Sequence, residues 1–217
     1  MTTLRAKAFD ADRKLVISLD GPAASGKGTI SKLLAAKLKL TYFQSGLVYR
    51  NLALSCINNQ IVPTDIEAVI RLSQTPRYEE TDELFEENVG IVASQIATIG
   101  AVRSNLSGYL VKLIESTPRI IMEGRDIGTV IAPSADLKIF IAADINVRAA
   151  RRYKELSEKG SQYVFDDILS QLKIRDQRDA EREVAPLRPP KDALEIDTTI
   201  LSPVEVVNKI MKYAFLL

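Results

Sequence analysis

A glycine-rich loop between an apolar segment and a helical segment constrains this chain more than any other feature. Residues 21–29 read GPAASGKGT; the apolar run 15–19 precedes them, and residues 27–39 repeat apolar side chains at helical spacing. A short run that is nearly all apolar is typical of a strand buried on both faces. The order strand, loop, helix therefore predicts the first unit of a parallel α/β sheet.

The loop also predicts a phosphate-binding site. Gly21, Gly26 and Lys27 fit the pattern G-x-x-x-x-G-K. In this pattern, backbone N–H groups at the start of the helix surround a phosphate, and the lysine adds a full positive charge. Thr29 is the hydroxyl available to Mg²⁺, directly or through water, since Gly28 stands directly after the lysine. A plain strand-to-helix turn is the alternative, but such a turn needs neither three glycines nor a lysine.

Further apolar runs extend the alternation of strands and helices along the chain. They lie at residues 40–43, 119–123, 137–143 and 193–197, with helical patterns such as residues 46–58 between most of them. Such alternation predicts an α/β fold with a five-stranded parallel sheet and helices on both faces. Residues 60–90 fit the alternation poorly and are acidic, so we interpret them as a small helical subdomain over one end of the sheet.

Composition narrows the class of protein. The chain has 217 residues, 46% of them hydrophobic, and a formal net charge of +1, which suits one domain and disfavours general binding to nucleic acid or anionic membranes. It has no histidine, so a histidine base is excluded. Its single cysteine, Cys56, lies in an apolar helical run and is expected to be buried. No apolar stretch approaches the about 20 residues of a membrane span, and we expect a cytoplasmic monomer.

Glycine-rich phosphate loops occur in GTPases, motor ATPases and kinases. The guanine motif N-K-x-D is incomplete, because the segment that starts at Asn208 ends in Met211 instead of aspartate. The chain is also short for a motor protein. The sequence therefore favours a small-molecule kinase.

One helix predicts a cluster of arginines in a cleft. Its apolar stripe starts at Phe165 and continues at steps of three and four to Leu172. At the same steps, the stripe then turns ionic, with Arg175, Arg178, Asp179 and Arg182. Buried arginines require anionic partners, so we expect them to face bound phosphates, with Asp179 orienting them or a sugar hydroxyl. A solvated helix end held by i,i+4 ion pairs is the alternative.

Three further stretches place polar groups near the same site. The segment EGRDIGT (123–129) follows a predicted strand, where parallel sheets bind ligands; Glu123 resembles the acid that approaches Mg²⁺ through water, and Arg125 and Asp126 follow it. The segment QSGLVYR (44–50) brings a helix N-terminus and an arginine together. A later helix begins with Arg148, Arg151 and Arg152 and runs into a Gly-Ser pair that predicts a mobile flap.

The combination of motifs resembles the bacterial cytidylate kinases. The segments that carry the resemblance, in chain order, are LDGPAASGKGT, SGLVYR, ASQIA with a following VR, EGRDIGTV, RAARR and IRDQRDAEREVAPL. The resemblance covers most of residues 15–215 and implies transfer of the γ-phosphate of ATP to CMP or dCMP, with Mg²⁺. It also implies one kinase domain over residues 1–217, which contains a nucleoside-monophosphate-binding subdomain (60–95) and a lid (151–168).

The resemblance also implies roles for individual residues. It implies that the ATP phosphates are bound by the loop and by two lid arginines: Gly21, Pro22, Ala23, Ala24, Ser25, Gly26, Lys27, Gly28, Thr29, Arg151 and Arg152. It implies that CMP is bound by a second set of residues: Ser45, Tyr49, Arg50, Ser94, Arg103, Arg125, Asp126, Arg175, Asp179 and Arg182. Within the second set, Ser94, Arg103 and Asp126 are implied to recognise the cytosine. The implied catalytic groups are Lys27, Arg125, Arg175 and Arg182.

The chain departs from the family pattern at two places. Gln44 stands where the family usually has aspartate, and only 44 positions separate Arg50 from Ser94, where the family usually carries a small β insert. Other readings therefore stay open. The acceptor is alternatively UMP, AMP or shikimate, or the chain is a nucleotide-binding regulator without turnover.

Overall fold

The computed structural model describes residue 10 and residues 12–158 and 163–215. Its centre is one sheet of five parallel strands in the order β2-β3-β1-β4-β5. The strands are β1 (Leu15–Asp20), β2 (Thr41–Gln44), β3 (Arg119–Gly124), β4 (Leu137–Ala142) and β5 (Leu194–Asp197). The predicted parallel sheet is thus confirmed, and the strand bounds differ from the predicted ones by one residue at several ends.

Eight α-helices connect and cover the strands in the described part of the chain. They are α1 (Lys27–Leu38), α2 (Gly46–Asn58), α3 (Ile66–Ser73), α4 (Glu87–Ile96), α5 (Gly100–Ser116), α6 (Ile145–Glu158), α7 (Phe165–Glu181) and α8 (Pro203–Phe215). A short 3₁₀ helix (Asp82–Phe85) precedes α4, and a π-helical turn (Ile127–Ile131) follows β3. None of the described helices is long and apolar enough to cross a membrane.

The central strand explains why the first apolar run has no polar alternation. All six residues of β1 are buried. Leu15, Ile17 and Leu19 pack with α1 and α8 on one face, whereas Val16 packs with α2 and α5 on the other. A strand covered on both faces needs apolar side chains on both. Burial of Cys56, which is 0% exposed on α2, confirms that it is a core residue.

Two segments project from this core towards one end of the sheet. Residues 60–90, all of which the structure describes, contain α3, the 3₁₀ helix and the start of α4 but no strand, as the sequence predicted. Val69 and Val89 fix this segment to the core on α2 and α5. Helices α6 and α7 pack together through Leu156, Ile168 and Leu172. Gly160 and Ser161, from which the flap was predicted, lie outside the described residues.

The register of the sheet sets the position of the polar groups. Asp20 at the end of β1 pairs with Gly124 at the end of β3, and Gln44 at the end of β2 pairs with Glu123. The carboxyl ends of three strands therefore lie together at one edge. Open parallel sheets bind their ligands at this edge.

Candidate active site

A cleft with a volume of about 900 Å³ opens at the carboxyl ends of the strands. Its walls come from the glycine loop, α2, α4, the segment after β3, α6 and α7. All predicted site residues line it except Gly21 and Pro22. The structure thus brings together residues that the sequence spreads from position 23 to position 182.

Glycine is required at two positions of the loop for different reasons. A Cβ atom on Gly21 would lie 2.1 Å from the carbonyl oxygen of Ile141 on β4, so a side chain would collide with backbone. Gly26 has a φ angle of 93°, a left-handed conformation that favours glycine, and it is the residue directly before α1. Both glycines let the loop turn tightly so that the N-terminus of α1 points into the cleft.

Lys27 is buried at the first position of α1, with 7% of its surface exposed. Its Nζ atom donates to the carbonyl oxygen of Pro22 and lies 3.5 Å from the Ser25 hydroxyl. Burial lowers the pKa of Lys27, Arg125 lowers it further, and Glu123 opposes both. An anion beside this ammonium group would therefore stabilise its charged form.

Glu123 lies at the floor of the cleft and is 4% exposed. Burial raises the pKa of its carboxyl group, and Lys27 is the strongest opposing influence. Its Oε2 atom is buried and has no hydrogen-bond partner of ordinary geometry among the described residues. An unpaired carboxylate oxygen beside a phosphate loop fits a divalent cation or a water molecule bound to one.

The described residues contain no group of three or more acidic, histidine or cysteine side chains that would hold a metal by themselves. Thr29, the predicted metal group, lines the cleft but is exposed. A Mg²⁺ ion here would depend mainly on phosphates and water, which is its usual coordination in kinase sites.

Helix α7 carries the predicted ionic groups into the cleft instead of into solvent. Arg125 donates from Nε to Asp179 Oδ2 at 3.0 Å, and Asp179 and Arg182 are only 5% and 7% exposed. Burial and the neighbouring Arg125 lower the pKa of Arg175 to about 10. The Arg175 Nε and Arg182 Nη2 atoms have no hydrogen-bond partner within the described ranges. This wall therefore carries more donors than the protein itself satisfies.

A second polar cluster lies deeper on the acceptor side. Arg103 and Asp126 form a buried ion pair, and the Arg103 guanidinium lies 5.5 Å from the centre of the Tyr49 ring. Arg178 Nη1 donates to the Ser94 hydroxyl at 2.9 Å. This cluster thus holds a carboxylate, a guanidinium and a hydroxyl, which are groups able to distinguish donors from acceptors on a flat ring.

Arg50 connects α2 to the segment that contains α4. Its Nη1 atom donates to the carbonyl oxygens of Leu84 and Glu86. A Cβ atom on Gly90 would lie 2.7 Å from Arg50 Nη2, so the arginine is seated against a position without a side chain. Burial and Arg175 lower the pKa of Arg50 to about 10.

The two predicted lid arginines have different surroundings. Arg151 donates to the Ser25 carbonyl at 3.4 Å and to the Thr198 carbonyl at 2.6 Å, so it connects the glycine loop to the segment after β5. Arg152 donates to Glu87 at 2.6 Å and also pairs with Glu155. Arg152 therefore joins α6 to α4 across the mouth of the cleft.

No motif in the sequence identified several of the residues in and around the site. Asp20 is 0% exposed and accepts the backbone N–H groups of Ile127 and Gly128, so it fixes the turn that follows Asp126. The sequence places Asp20 at the end of the first strand, but nothing in it predicts a contact 107 positions away. Glu87 and Gly90, which also line the cleft, were missed as site residues for the same reason. Their neighbours come from other elements.

Comparisons with known proteins identify the family of the chain. The chain matches the family model described as cytidylate kinase over residues 17–215. It is 57% identical over 213 residues to the cytidylate kinase of Rickettsia canadensis (strain McKiel), with 98% of each chain covered. It is 55% identical over 213 residues to that of Rickettsia africae (strain ESF-5), with 98% of this chain and 97% of that protein covered.

The fold is also similar to solved structures of other kinases. Shikimate kinase from Bacteroides thetaiotaomicron matches with a TM-score of 0.51 at 11% identity, covering 92% of this chain and 98% of that chain. At this level of identity the likeness concerns the fold alone.

Proposed function

Because the chain belongs to the cytidylate kinase family, we propose that its cleft transfers the γ-phosphate of ATP to CMP or dCMP. The observation that carries the proposal is the position of the buried Arg103–Asp126 pair, in the same cleft as the buried Lys27 of the phosphate loop. One end of the cleft offers cationic and N–H donors for phosphates. The other offers a fixed pattern of donors and acceptors for a base.

The ATP end is built around the loop and the start of α1. Backbone N–H groups at the N-terminus of α1 surround the β- and γ-phosphates, and Lys27 exchanges its carbonyl partner for a phosphate oxygen. We assign the loop residues 21–29 to this end. Arg151 stabilises the loop by donating to the Ser25 carbonyl oxygen, and Arg152 lies at the mouth of the cleft.

Mg²⁺ accompanies ATP in this proposal. Thr29 and Glu123 are the protein groups that would hold the ion, through bound water, and the unpaired Glu123 Oε2 atom supports this assignment. The ion, when bound, neutralises part of the charge on the transferred phosphate.

The acceptor end divides into phosphate, sugar and base positions. Arg125 and Arg175 take the CMP phosphate, because both line the cleft beside Lys27 and Arg175 Nε has no partner among the described residues. Asp179 and Arg182 take the sugar. The remaining predicted groups, Ser45, Tyr49, Arg50, Ser94, Arg103 and Asp126, surround the base and close the acceptor side.

The nucleophile is an oxygen of the CMP phosphate, which needs no protein base. The second pKa of a phosphate monoester is about 6, so this oxygen is already ionised near neutral pH. Catalysis then rests on alignment of the two phosphates and on neutralisation of their charge by Lys27, Arg125 and Arg175. Exclusion of water also matters, because ATP hydrolysis competes with transfer. The absence of histidine from the sequence is consistent with this mechanism.

All groups assigned above come from a single chain, and we propose that the protein acts as a monomer. Size-exclusion chromatography with light scattering checks this at catalytic concentrations. The expected mass is the 24.0 kDa of one chain.

The function is tested by release of ADP in the presence of different acceptors. We expect ATP consumption that depends on CMP or dCMP, with much less on UMP, AMP or shikimate, and none without an acceptor. ATP binding without acceptor-dependent ADP release would instead support a nucleotide-binding regulator. Turnover with shikimate would place the chain with the structural neighbour in activity as well as in fold.

A further inference from the structure

The position directly after the loop lysine has no side chain. Phosphate loops of the pattern G-x-x-x-x-G-K usually continue with serine or threonine, whose hydroxyl lies on the Mg²⁺ side of the phosphates. Here the residue is Gly28. A Cβ atom built on Gly28 would lie 3.6 Å from Tyr42 Oη, 3.6 Å from Glu123 Oε1 and 3.8 Å from Glu123 Oε2. The place of the usual hydroxyl is therefore next to a tyrosine and a glutamate from neighbouring strands.

The sheet register brings these two side chains together. Tyr42 pairs with Ile121 and Gln44 pairs with Glu123 between β2 and β3. Tyr42 and Glu123 are thus diagonal neighbours on one face of the sheet, a distance that long side chains can bridge. Tyr42 Oη donates to Glu123 Oε1 at 3.1 Å and lies 3.4 Å from the Gln44 amide oxygen. The hydroxyl has one proton, so the shorter contact with Glu123 takes it.

The hydrogen bond from Tyr42 involves only one of the two oxygen atoms of the Glu123 carboxylate. Glu123 Oε1 accepts the Tyr42 hydrogen bond, whereas Oε2 is buried and has no hydrogen-bond partner of ordinary geometry in the described part of the chain. A phenol is protonated at neutral pH, and Tyr42 Oη lies within hydrogen-bond distance of Glu123 Oε1, so it is the donor of this contact. The geometry holds one oxygen of the carboxylate so that the other is available inside the cleft.

We propose that Tyr42 replaces the hydroxyl that residue 28 lacks, as a positioning residue that fixes the Glu123 carboxylate for the Mg²⁺ ion bound with the nucleotide. The metal side of the site is then built from β2 and β3 as well as from Thr29 of the phosphate loop. This proposal rests on the assignment of the ATP phosphates to the loop. It does not depend on the identity of the acceptor.

Tyr42 also packs against the core, so the test must separate its ring from its hydroxyl. Tyr42→Phe keeps the ring and removes the oxygen. Tyr109→Phe is the matched control, because Tyr109 is a partly buried tyrosine on α5 that does not line the cleft. Gly28→Ser, added to Tyr42→Phe, returns a hydroxyl beside Glu123, and its Cβ contacts are of ordinary van der Waals length.

The measurement is calorimetric binding of ADP, with and without MgCl₂, to the full-length protein and its variants. For Tyr42→Phe we expect affinity for ADP to fall about threefold to thirtyfold when Mg²⁺ is present, the effect of about one lost hydrogen bond, and to stay unchanged without it. Electron paramagnetic resonance of Mn²⁺ with ADP should show the same selective loss, and Tyr42→Phe/Gly28→Ser should regain part of the affinity.

A loss that is equal with and without Mg²⁺ would show that Tyr42 acts only through packing, and no loss at all would also overturn the proposal. Failure of the wild-type protein to bind ADP would instead contradict the assignment of the loop to ATP. Selective loss in a protein that does not phosphorylate CMP would leave the role of Tyr42 standing and reject the acceptor.

Discussion

At the scale of single residues, the cleft contains positive charge that its own carboxylates do not neutralise. Burial lowers the pKa values of Lys27 and Arg175, and the Arg175 Nε and Arg182 Nη2 atoms lack hydrogen-bond partners among the residues described. Charged groups in this condition are stabilised when anions bind. The excess is expected of a site that receives two nucleotides with their phosphates.

Lys27→Ala should separate catalysis from folding. The side chain is buried at a cost and lies outside the apolar clusters, so we expect thermal stability to be unchanged or slightly raised. Turnover should fall by about three orders of magnitude or more, because the transferred phosphate loses its fixed positive charge. Steady-state kinetics and thermal unfolding check both results, with Lys37→Ala on the outer surface of α1 as the control. A folded variant with near-normal turnover would remove the assignment of the loop.

The raised pKa of Asp20 leads us to predict that the stability of the protein depends on pH. Burial is the main cause that raises its pKa from 3.8 to about 6, whereas the hydrogen bonds that it accepts from two backbone N–H groups lower the pKa. The folded state therefore binds the proton more tightly than the unfolded state, and the stability of the wild type decreases as the pH rises through this window. Two units of pKa correspond to about 3 kcal/mol.

The test compares urea unfolding of the wild type and Asp20→Asn between pH 4 and pH 7. We expect the free energy of unfolding of the wild type, relative to the variant, to decline by up to about 3 kcal/mol over this range. Other titrating groups are common to both proteins and cancel in the difference. A difference that does not change with pH would mean that Asp20 ionises normally in the fold.

At this scale, sequence reasoning predicts a site residue only where the residue belongs to a local pattern. Lys27 is identified by its spacing from two glycines and by the strand and helix around it. Tyr42, Gly90 and Glu87 have no such pattern, because their roles depend on Glu123, Arg50 and Arg152, which are 81, 40 and 65 positions away. Contacts of this kind are determined by tertiary packing.

At the scale of elements, α7 is a helix whose first half packs and whose second half binds. Ile168 and Leu172 lie in the small core with α6, while Asp179 and Arg182, at the end of the same stripe, line the cleft. The continuous spacing of the stripe made this change visible in the sequence. The strand bounds were less visible: β2 starts at Thr41 instead of residue 40, because the Leu40 N–H group bonds to the Ala35 carbonyl at the end of α1.

Arg175→Met tests the binding half of α7. Burial and Arg125 make the Arg175 charge unfavourable in the free protein, so we expect the free energy of unfolding to stay level or rise by about 1 kcal/mol. The value of kcat/KM for CMP should fall about a hundredfold or more. Lys173→Met, at an exposed position of the same helix, should change neither quantity. Loss of stability with activity retained would support a structural role for Arg175.

The segment of residues 60–90 is predicted to move as a unit over the acceptor. Its helical composition is confirmed, and Arg50 and Arg152 join it to α2 and α6 through a few polar contacts. Spin labels at residues 83 and 37 should report a change of about 3 Å or more when ADP, CMP and Mg²⁺ bind. Labels at residues 112 and 37, both outside the segment, should keep their distance. Identical distances for the first pair with and without ligands would contradict the motion.

At the scale of the whole molecule, the fold class was the most predictable property. Each strand of the sheet is a short apolar run, and the runs alternate with helices, so the number of strands and their parallel arrangement follow from local patterns. The order of the strands does not, because it depends on which helices cover which face. The family resemblance predicts the roles of the residues around the base, and the structure shows the buried ion pair between Arg103 and Asp126.

The central claim is that the buried wall around Asp126 selects cytosine. The exocyclic amine of cytosine is a donor, whereas uracil has an acceptor at the same place, and an ionised Asp126 accepts from the first and opposes the second. A mismatch in a closed site leaves polar groups unpaired and costs about 1–3 kcal/mol or more. Asp126→Asn should reduce the selection, because an amide can donate as well as accept.

The most direct measurement is kcat/KM for CMP and for UMP, on the wild type, on Asp126→Asn and on Asp192→Asn, an exposed carboxylate outside the cleft. We predict that the wild type and Asp192→Asn prefer CMP by about tenfold to a hundredfold or more. In Asp126→Asn the ratio should move towards one. Equal values for CMP and UMP in the wild type would contradict the selection of cytosine by this site.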